Sequence, residues 1–299
     1  MKALQFKSAG RLRQLTRPWV MSMQWHDLLF MHWPISANLL RPHIPAGLTI
    51  NTFHGNAYVA VVPFVMRHVR PRGLPSVPGV SFFPEINLRT YVTAQDQLQK
   101  PGVWFFSLDA HNPLAVRIAR TLFHLPYFDA TMTAQSGSCS EVSDATSNIT
   151  SDDTTALSPS ISSQQNVIKS ERAQHHFNTS PHRTQAGTAI YYKSVRHHKG
   201  APAAAFEGQY KPVGEVFTAR AGSLEHFLTE RYCLYSSDSR GRLYRGDIQH
   251  APWPLQLAEA DVVQNSLHEA WQIPLQGPPL LHFARYLDVR AFLPKRIRN

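Results

Sequence analysis

Seven stretches of this chain are built almost entirely from residues that suit a pleated surface. Ala57–Val69, Phe83–Thr93, Gly102–Asp109, Tyr127–Thr133, Thr188–Val195, Phe206–Lys211 and Leu280–Val289 are rich in Val, Ile, Phe, Tyr and Thr and are bounded by Gly and Pro. One of them, Val103-Trp104-Phe105-Phe106-Ser107-Leu108, is apolar on both faces, so the sheet that contains it must be covered on both sides. Only 17% of the 299 residues are charged and 43% are hydrophobic, enough to build such a core. The most apolar run, Ala57–Met66, is too short to cross a membrane as a helix and contains Pro63.

Three helices are expected between the strands. Asn112 and Pro113 open the first, with Leu114, Ala115, Ile118, Ala119, Leu122 and Phe123 as its apolar stripe. Ser223 caps the second, and the third spans Leu257–Trp271 with Glu259 and Asp261 in its first turn. Turns are expected at His54-Gly55-Asn56 and Ser239-Arg240-Gly241. The fold class is α+β, mainly β, with a sheet that is barrel-like. Residues 1–17 read as a disordered basic leader. Residues 18–299 form a single domain, interrupted at about 136–186 by a Ser/Thr-rich insertion with too few large apolar residues to offset its ordering entropy.

The formal charge of +10 is spread along the chain as scattered arginines, 22 Arg against 8 Lys, without the aromatic interleaving of a nucleic-acid motif. The expected partner is therefore a small-molecule ligand and not a membrane, with a basic nucleic-acid-associated protein as the less favoured alternative and homo-oligomerisation left open. Two cysteines, Cys139 and Cys233, make no disulfide framework and point to a reducing, cytoplasmic location. Sixteen histidines show no metal-ligand spacing; neighbours such as His197-His198 point to opposite faces of a strand. No metal and no cofactor are expected. Phosphate-loop, dinucleotide and Gly-x-Ser-x-Gly motifs are absent from the sequence.

Chemistry concentrates on Phe83–Val92. Alternation places Glu85, Asn87, Arg89 and Tyr91 on one face and Ile86, Leu88 and Val92 on the other. Either the polar face is solvated, or it lines a cavity in which Arg89 clamps a carboxylate and Glu85 acts as acid or base. The doubly apolar strand that follows favours the cavity. Elsewhere, Glu230 beside Arg231 reads as a surface ion pair, and His250-Ala-Pro-Trp-Pro-Leu as a rigid aromatic corner.

Residues 17–35 (RPWVMSMQWHDLLFMHWPI), 40–48 (LRPHIPAGL), 83–92 (FPEINLRTYV), 102–110 (GVWFFSLDA), 123–127 (FHLPY), 222–235 (GSLEHFLTERYCLY) and 250–255 (HAPWPL) resemble the YqjF-like family of unknown function. The resemblance implies an acetoacetate decarboxylase-like fold, a strongly curved antiparallel sheet closing into a cone or barrel around a small-molecule cavity. It also implies that Glu85 is a cavity-facing glutamate. FHLPY then matches the stretch in which those enzymes carry a Schiff-base lysine directly after a proline. Here that residue is Tyr127, and a phenol forms no imine, so Schiff-base decarboxylation is excluded. The expected function is binding of a small oxo-acid or phenolic compound, either with acid/base catalysis, as a non-Schiff-base lyase, hydratase or isomerase, or as a non-catalytic carrier or sensor. Glu85, Arg89 and Tyr127 are the candidate catalytic residues. Asn87, Tyr91, Trp104, Tyr192 and Arg231 are the candidate ligand-binding residues.

Overall fold

The computed structural model describes residues 17–95, 100–137 and 188–297. The leader and most of the insertion lie outside these. At their edges, Arg17 pairs with Asp247, and Ser136 and Gly137 end a strand. In chain order the described elements are β1 (Met21–Ile35), α1 (Ala37–Leu40), β2 (Leu48–Ile50), β3 (Ala57–Pro71), β4 (Phe83–Ala94), β5 (Gly102–Ala110), α2 (Pro113–Leu122), β6 (Tyr127–Gly137), β7 (Ala189–Arg196), β8 (Ala205–Phe217), α3 (Leu224–Thr229), β9 (Cys233–Ser237), β10 (Leu243–Gln249), β11 (Leu255–Asn265), β12 (Leu280–Ala291) and β13 (Lys295–Arg296).

All of these strands belong to one sheet that closes on itself. Each strand pairs with the next in the series β1–β3–β4–β5–β6–β7–β8–β11–β12, and β12 returns to β1. A second closure runs from β12 through β10 and β9 back to β5. The stretch β12–β1–β3–β4–β5 is therefore a wall common to both rings, and both of its faces are packed. Pairing is antiparallel except where β5 meets β6 and β9. Closure is uneven, since β5 and β6 join only over Leu108–Ala110.

The doubly apolar β5 explains how the wall is packed. Trp104 and Phe106 face a core with Ile86, Leu88 and Phe206, whereas Leu108 and Ala110 face a second core with Phe30, Phe64 and Phe123. The change of side coincides with a register shift against β4 at Leu88/Arg89.

Both helix caps form: Asn112 Oδ1 accepts from Leu114 N (3.0 Å) and Ala115 N (3.1 Å), and Ser223 Oγ from His226 N (3.3 Å). The expected stripe of α2 is only partly used. Ala115, Val116, Ala119 and Phe123 pack inward, while Leu114, Ile118 and Leu122 are exposed. His54-Gly55 is a turn with both φ positive (48° and 87°), closing the Phe53–Asn56 bridge. The turn at Ser239-Arg240-Gly241 also forms, with Gly241 N donating to Asp238 O at 2.9 Å and φ at 72°.

The expected third helix is instead β11 followed by a short 3-10 turn at Glu269–Trp271. Ala258 and Ala260 pack on the core while Leu257, Glu259 and Asp261 face out, a period of two that the helical reading missed. Its backbone completes the ladder between β8 and β12, and that pairing outweighs the helix preference of Leu, Ala and Glu. Glu230 and Arg231 make no ion pair: Glu230 bonds Tyr232 and the Trp253 amide, while Arg231 is buried. The aromatic corner does form, with Trp253 stacked on Trp25 at 5.8 Å and His250 on Tyr232 at 4.6 Å.

Candidate functional site

β4 runs through the middle of the common wall, so its polar row is largely shielded from solvent. Glu85, Asn87 and Tyr91 are buried and Arg89 is half-buried, which excludes the solvated-face reading. The row has two ends, about 13 Å apart along the strand at ~3.3 Å per residue.

At one end, Glu85 lies opposite Phe64 of β3 and Ala110 of β5. Its Oε2 accepts a 2.8 Å hydrogen bond from Tyr127 Oη. Tyr127 begins β6 directly after Pro126, where β6 pairs with β5 at Leu108. Burial pushes the Glu85 carboxyl up to about 8; the Tyr127 bond pulls down and the charge of Asp109 pushes up further. Glu85 is thus a neutral acid at pH 7. Burial, reinforced by Glu85, holds the Tyr127 phenol well above its usual range. Tyr192 reaches the same residue from the other side of the sheet: its Oη bonds the backbone oxygen of Glu85 at 2.7 Å and contacts that of Phe64 at 3.2 Å. It braces the strand and does not face the carboxyl group. Trp104 also lies on that opposite face, in the core with Ile86 and Leu88.

The other end is cationic. Register puts His32 of β1, Ala60 of β3 and Arg89 of β4 in one row across three strands, and the small Ala60 leaves room between the two long side chains. His32 Nε2 lies 2.6 Å from Tyr91 Oη. The Arg89 guanidinium stands 5.4 Å from the Phe30 ring centre and 6.0 Å from that of Tyr91. Arg231 arrives just beyond α3, stacked on Phe227 (4.4 Å) and Tyr91 (5.0 Å), its Nε bonded to Phe227 O and its Nη1 to Asn51 Oδ1. Burial lowers Arg231 to about 10. Burial also drives His32 well below 6.5, helped by Arg89 and His282, so its ring is neutral.

Neither Arg89 nor Arg231 has a carboxylate within 4.0 Å among the described residues. Four buried atoms of this region have no hydrogen-bond partner: Arg89 Nε, His32 Nδ1, Asn87 Oδ1 and His282 Nδ1. Buried charges are normally paired and buried polar atoms normally bonded. The arrangement is one that an anion with several acceptor oxygens would complete.

Sequence reasoning therefore placed Glu85, Asn87, Arg89, Tyr91, Tyr127 and Arg231 on structure that brings them along one face, and Trp104 and Tyr192 behind it. It missed His32, His282 and Phe227. The signal for His32 was a lone imidazole within the otherwise apolar run Leu28–Ile35 at the end of β1. Among the described residues no cluster of three or more His, Cys, Asp or Glu is placed to hold a metal ion, and no helix is long and apolar enough to cross a membrane.

The same fold occurs in solved proteins of very different sequence. An acetoacetate decarboxylase-like enzyme from Sphingomonas wittichii RW1 superposes with a TM-score of 0.54 at 12% identity, covering 97% of this chain and 100% of that one. The enduracididine biosynthesis enzyme MppR, complexed with pyruvate, gives 0.54 at 10% identity, covering 98% and 96%. Acetoacetate decarboxylase from Legionella pneumophila gives 0.52 at 7% identity, covering 100% and 98%. At these identities the likeness is one of fold. In sequence, the chain is 40% identical over 279 residues to the uncharacterized protein YqjF of Bacillus subtilis (strain 168), covering 93% of this chain and 92% of that protein. The DUF2071 signature, described as an uncharacterized conserved protein, matches residues 22–199 and 168–288. On both grounds the chain belongs to the YqjF-like DUF2071 family, and its architecture is the acetoacetate decarboxylase-like fold.

Proposed function

We propose that this protein binds a small-molecule carboxylate on the polar face of β4, extended enough to reach from Arg89 toward Glu85 about 13 Å along the strand, and exchanges a proton with it through Glu85. The observation that carries the reading is the pair of guanidiniums, Arg89 and Arg231, held around the Tyr91 ring with no carboxylate of the described residues beside them. A ligand carboxylate would accept from both arginines. A carbonyl or hydroxyl on the same ligand would meet the unpartnered His32 and Asn87 atoms. Pyruvate bound to MppR is one such small oxo-acid in the same fold.

Glu85 supplies the proton. As a neutral acid it protonates a basic oxygen or carbon of the ligand. The carboxylate left behind is stabilised by the bond from Tyr127, which strengthens as charge develops on Oε2. Imine chemistry has no foothold: Tyr127 follows Pro126, and among the described lysines Lys100 is half-buried and Lys193, Lys199, Lys211 and Lys295 are exposed. The free, buried Cys233 fits a reducing, cytoplasmic setting.

The distance between the two ends favours a second reading, in which the cationic end binds a carboxylate and Glu85 takes no part, as in a carrier or sensor. Proton NMR of the protein with a mixture of 2-oxo-acids, enol lactones and phenolic acids separates the two. New resonances that vanish in Glu85→Gln establish proton-transfer catalysis. Line broadening that survives Glu85→Gln but is lost in Arg89→Ala establishes the carrier. Broadening that survives Arg89→Ala and Arg231→Met overturns the site.

A further inference from the structure

Away from the β4 face, a cleft of about 480 Å³ opens where β3, β1, β12 and β10 lie side by side. Pairing register sets Arg70, Ser22, Arg290 and Gln249 in one row across these four strands. Arg70 Nε bonds Ser22 Oγ at 3.2 Å. Trp19 stands at the rim, with the guanidiniums of Arg72 and Arg290 at 5.5 and 5.8 Å from its ring. Met23 and Val289 pair beside this row but alternate to the other face of the sheet, where both are buried in the core.

Exposed arginines are ordinarily solvated surface, and others here such as Arg117, Arg220 and Arg240 are likewise without an ion pair among the described residues. What sets Arg70 and Arg290 apart is that they line one cleft in one row. Arg17, Arg196, Arg242, Arg245 and Arg285 are each held by an aspartate. Arg67, Arg70, Arg72 and Arg290 have no carboxylate within 4.0 Å among the described residues. The acid in the cleft, Asp288, accepts from Gln24 at 3.2 Å, a neutral partner that leaves the arginine charge uncancelled. The guanidiniums are oriented by a hydroxyl and an indole, which fix their direction without neutralising them.

We infer that this cleft binds a phosphomonoester, its phosphate on the Arg70–Ser22–Arg290 row and its organic part against Trp19. Guanidinium forks match phosphate oxygens two at a time, the Ser22 hydroxyl supplies a neutral donor between them, and the Trp19 ring offers an apolar face to a small organic group. The site is distinct from the carboxylate end of β4, and neither depends on the other.

Titration of the full chain with inorganic phosphate and with adenosine monophosphate, followed by tryptophan fluorescence and calorimetry, tests the assignment. Saturable binding of both is expected. The double variant Arg70→Gln/Arg290→Gln should weaken it by at least about tenfold, as expected for lost charge-assisted bonds. Ser22→Ala should weaken it less, and Arg70→Lys should leave an intermediate affinity. Binding lost in Arg89→Ala but kept in the double variant overturns the inference, as does an absence of saturation by about 1 mM. A parallel arm uses neutral-lipid vesicles containing phosphatidate: binding that depends on Arg70 and Arg290 assigns the phosphate to a lipid headgroup rather than a free metabolite. Binding of duplex DNA with a steep salt dependence and no competition by phosphate also overturns it.

Discussion

Four residues apart on one strand, Glu85 and Arg89 occupy opposite electrostatic worlds. The Glu85 end contains an acid that burial keeps neutral, its carboxyl bonded to a phenol. The Arg89 end contains two guanidiniums with aromatic neighbours and, among the described residues, no carboxylate within 4.0 Å. A third arrangement completes the comparison. On the far side of the sheet Arg196 is also buried, but Asp109 meets it at 2.8 Å. Among the described residues an aspartate neutralises buried Arg196, while buried Arg231 and half-buried Arg89 have no such partner; on the proposed reading a ligand carboxylate takes that place.

The largest expected effect lies at Glu85. Its carboxyl titrates near 4.5 in the unfolded chain and at about 8 in the folded one. Between these values the unfolded state loses its proton and the folded state keeps it, so stability falls as pH rises through that window. The full difference is about 5 kcal/mol at ~1.36 kcal/mol per pKa unit. Glu85→Gln keeps the shape of the neutral acid and cannot ionise. Its unfolding free energy, from urea titrations at pH 4.5 to 8.5, should lose this decline and exceed that of the parent at pH 8. An unchanged pH slope would mean that Glu85 is ionised in the fold.

The two kinds of buried arginine should part next. Arg196→Met leaves Asp109 buried without its partner, and breaking such a pair costs about 3–5 kcal/mol. Burial raises Asp109 to about 6 even with Arg196 pulling it down, so the carboxylate is still ionised at pH 7. Arg231→Met removes an uncompensated charge, and the stability change should be within about 1 kcal/mol, since the desolvation cost it relieves offsets the lost bonds. Carboxylate binding should respond in the opposite sense, lost in Arg231→Met and kept in Arg196→Met. Equal destabilisation by both would remove the contrast.

Tyr127→Phe sharpens the other end. The phenol bond pulls the Glu85 carboxyl down, so its loss should raise that value above about 8 and cost about 1–2 kcal/mol for one buried hydrogen bond. The carboxyl carbon chemical shift against pH reads the first, and urea midpoints read the second. A carboxyl that titrates lower in Tyr127→Phe would reverse the assigned role.

How much of this was legible beforehand follows from what local pattern can carry. Alternation in β4 gave the correct face for Glu85, Asn87, Arg89 and Tyr91 because no bulge interrupts that strand's own alternation. In β5 the register shift at Leu88/Arg89 turns Trp104 and Leu108 to opposite faces, so the sequence could not say which aromatics face which core. Tyr192 was a ligand-binding candidate, but β7 pairs with β6 and β8 and its tyrosine meets β4 only across the core that the closed sheet encloses, a contact no local pattern carries. His32 joins Arg89 only through the pairing of β1 with β3, and β1 itself, broken by a bulge and by Asp27 at φ 52°, shows no clean period. The Leu257–Trp271 error has the same origin, a strand whose identity comes from its partners.

The smallest expected effect tests sidedness alone. Trp104 pairs with Thr90 across β4 and β5 and packs with Ile86, Leu88 and Val92, behind the polar row. Trp104→Phe keeps a planar apolar group in that core and should cost no more than about 1–1.5 kcal/mol, within the range of tolerated core swaps. The ring contacts the back of the strand and touches none of Arg89, Tyr91 or His32, so carboxylate affinity should change by less than about twofold, which is under 0.5 kcal/mol. A tenfold loss in Trp104→Phe with the melting temperature intact would show that the ligand reaches the opposite face. The wall between the two cores would then be the site itself, and the unpaired arginines on one side would need a different explanation.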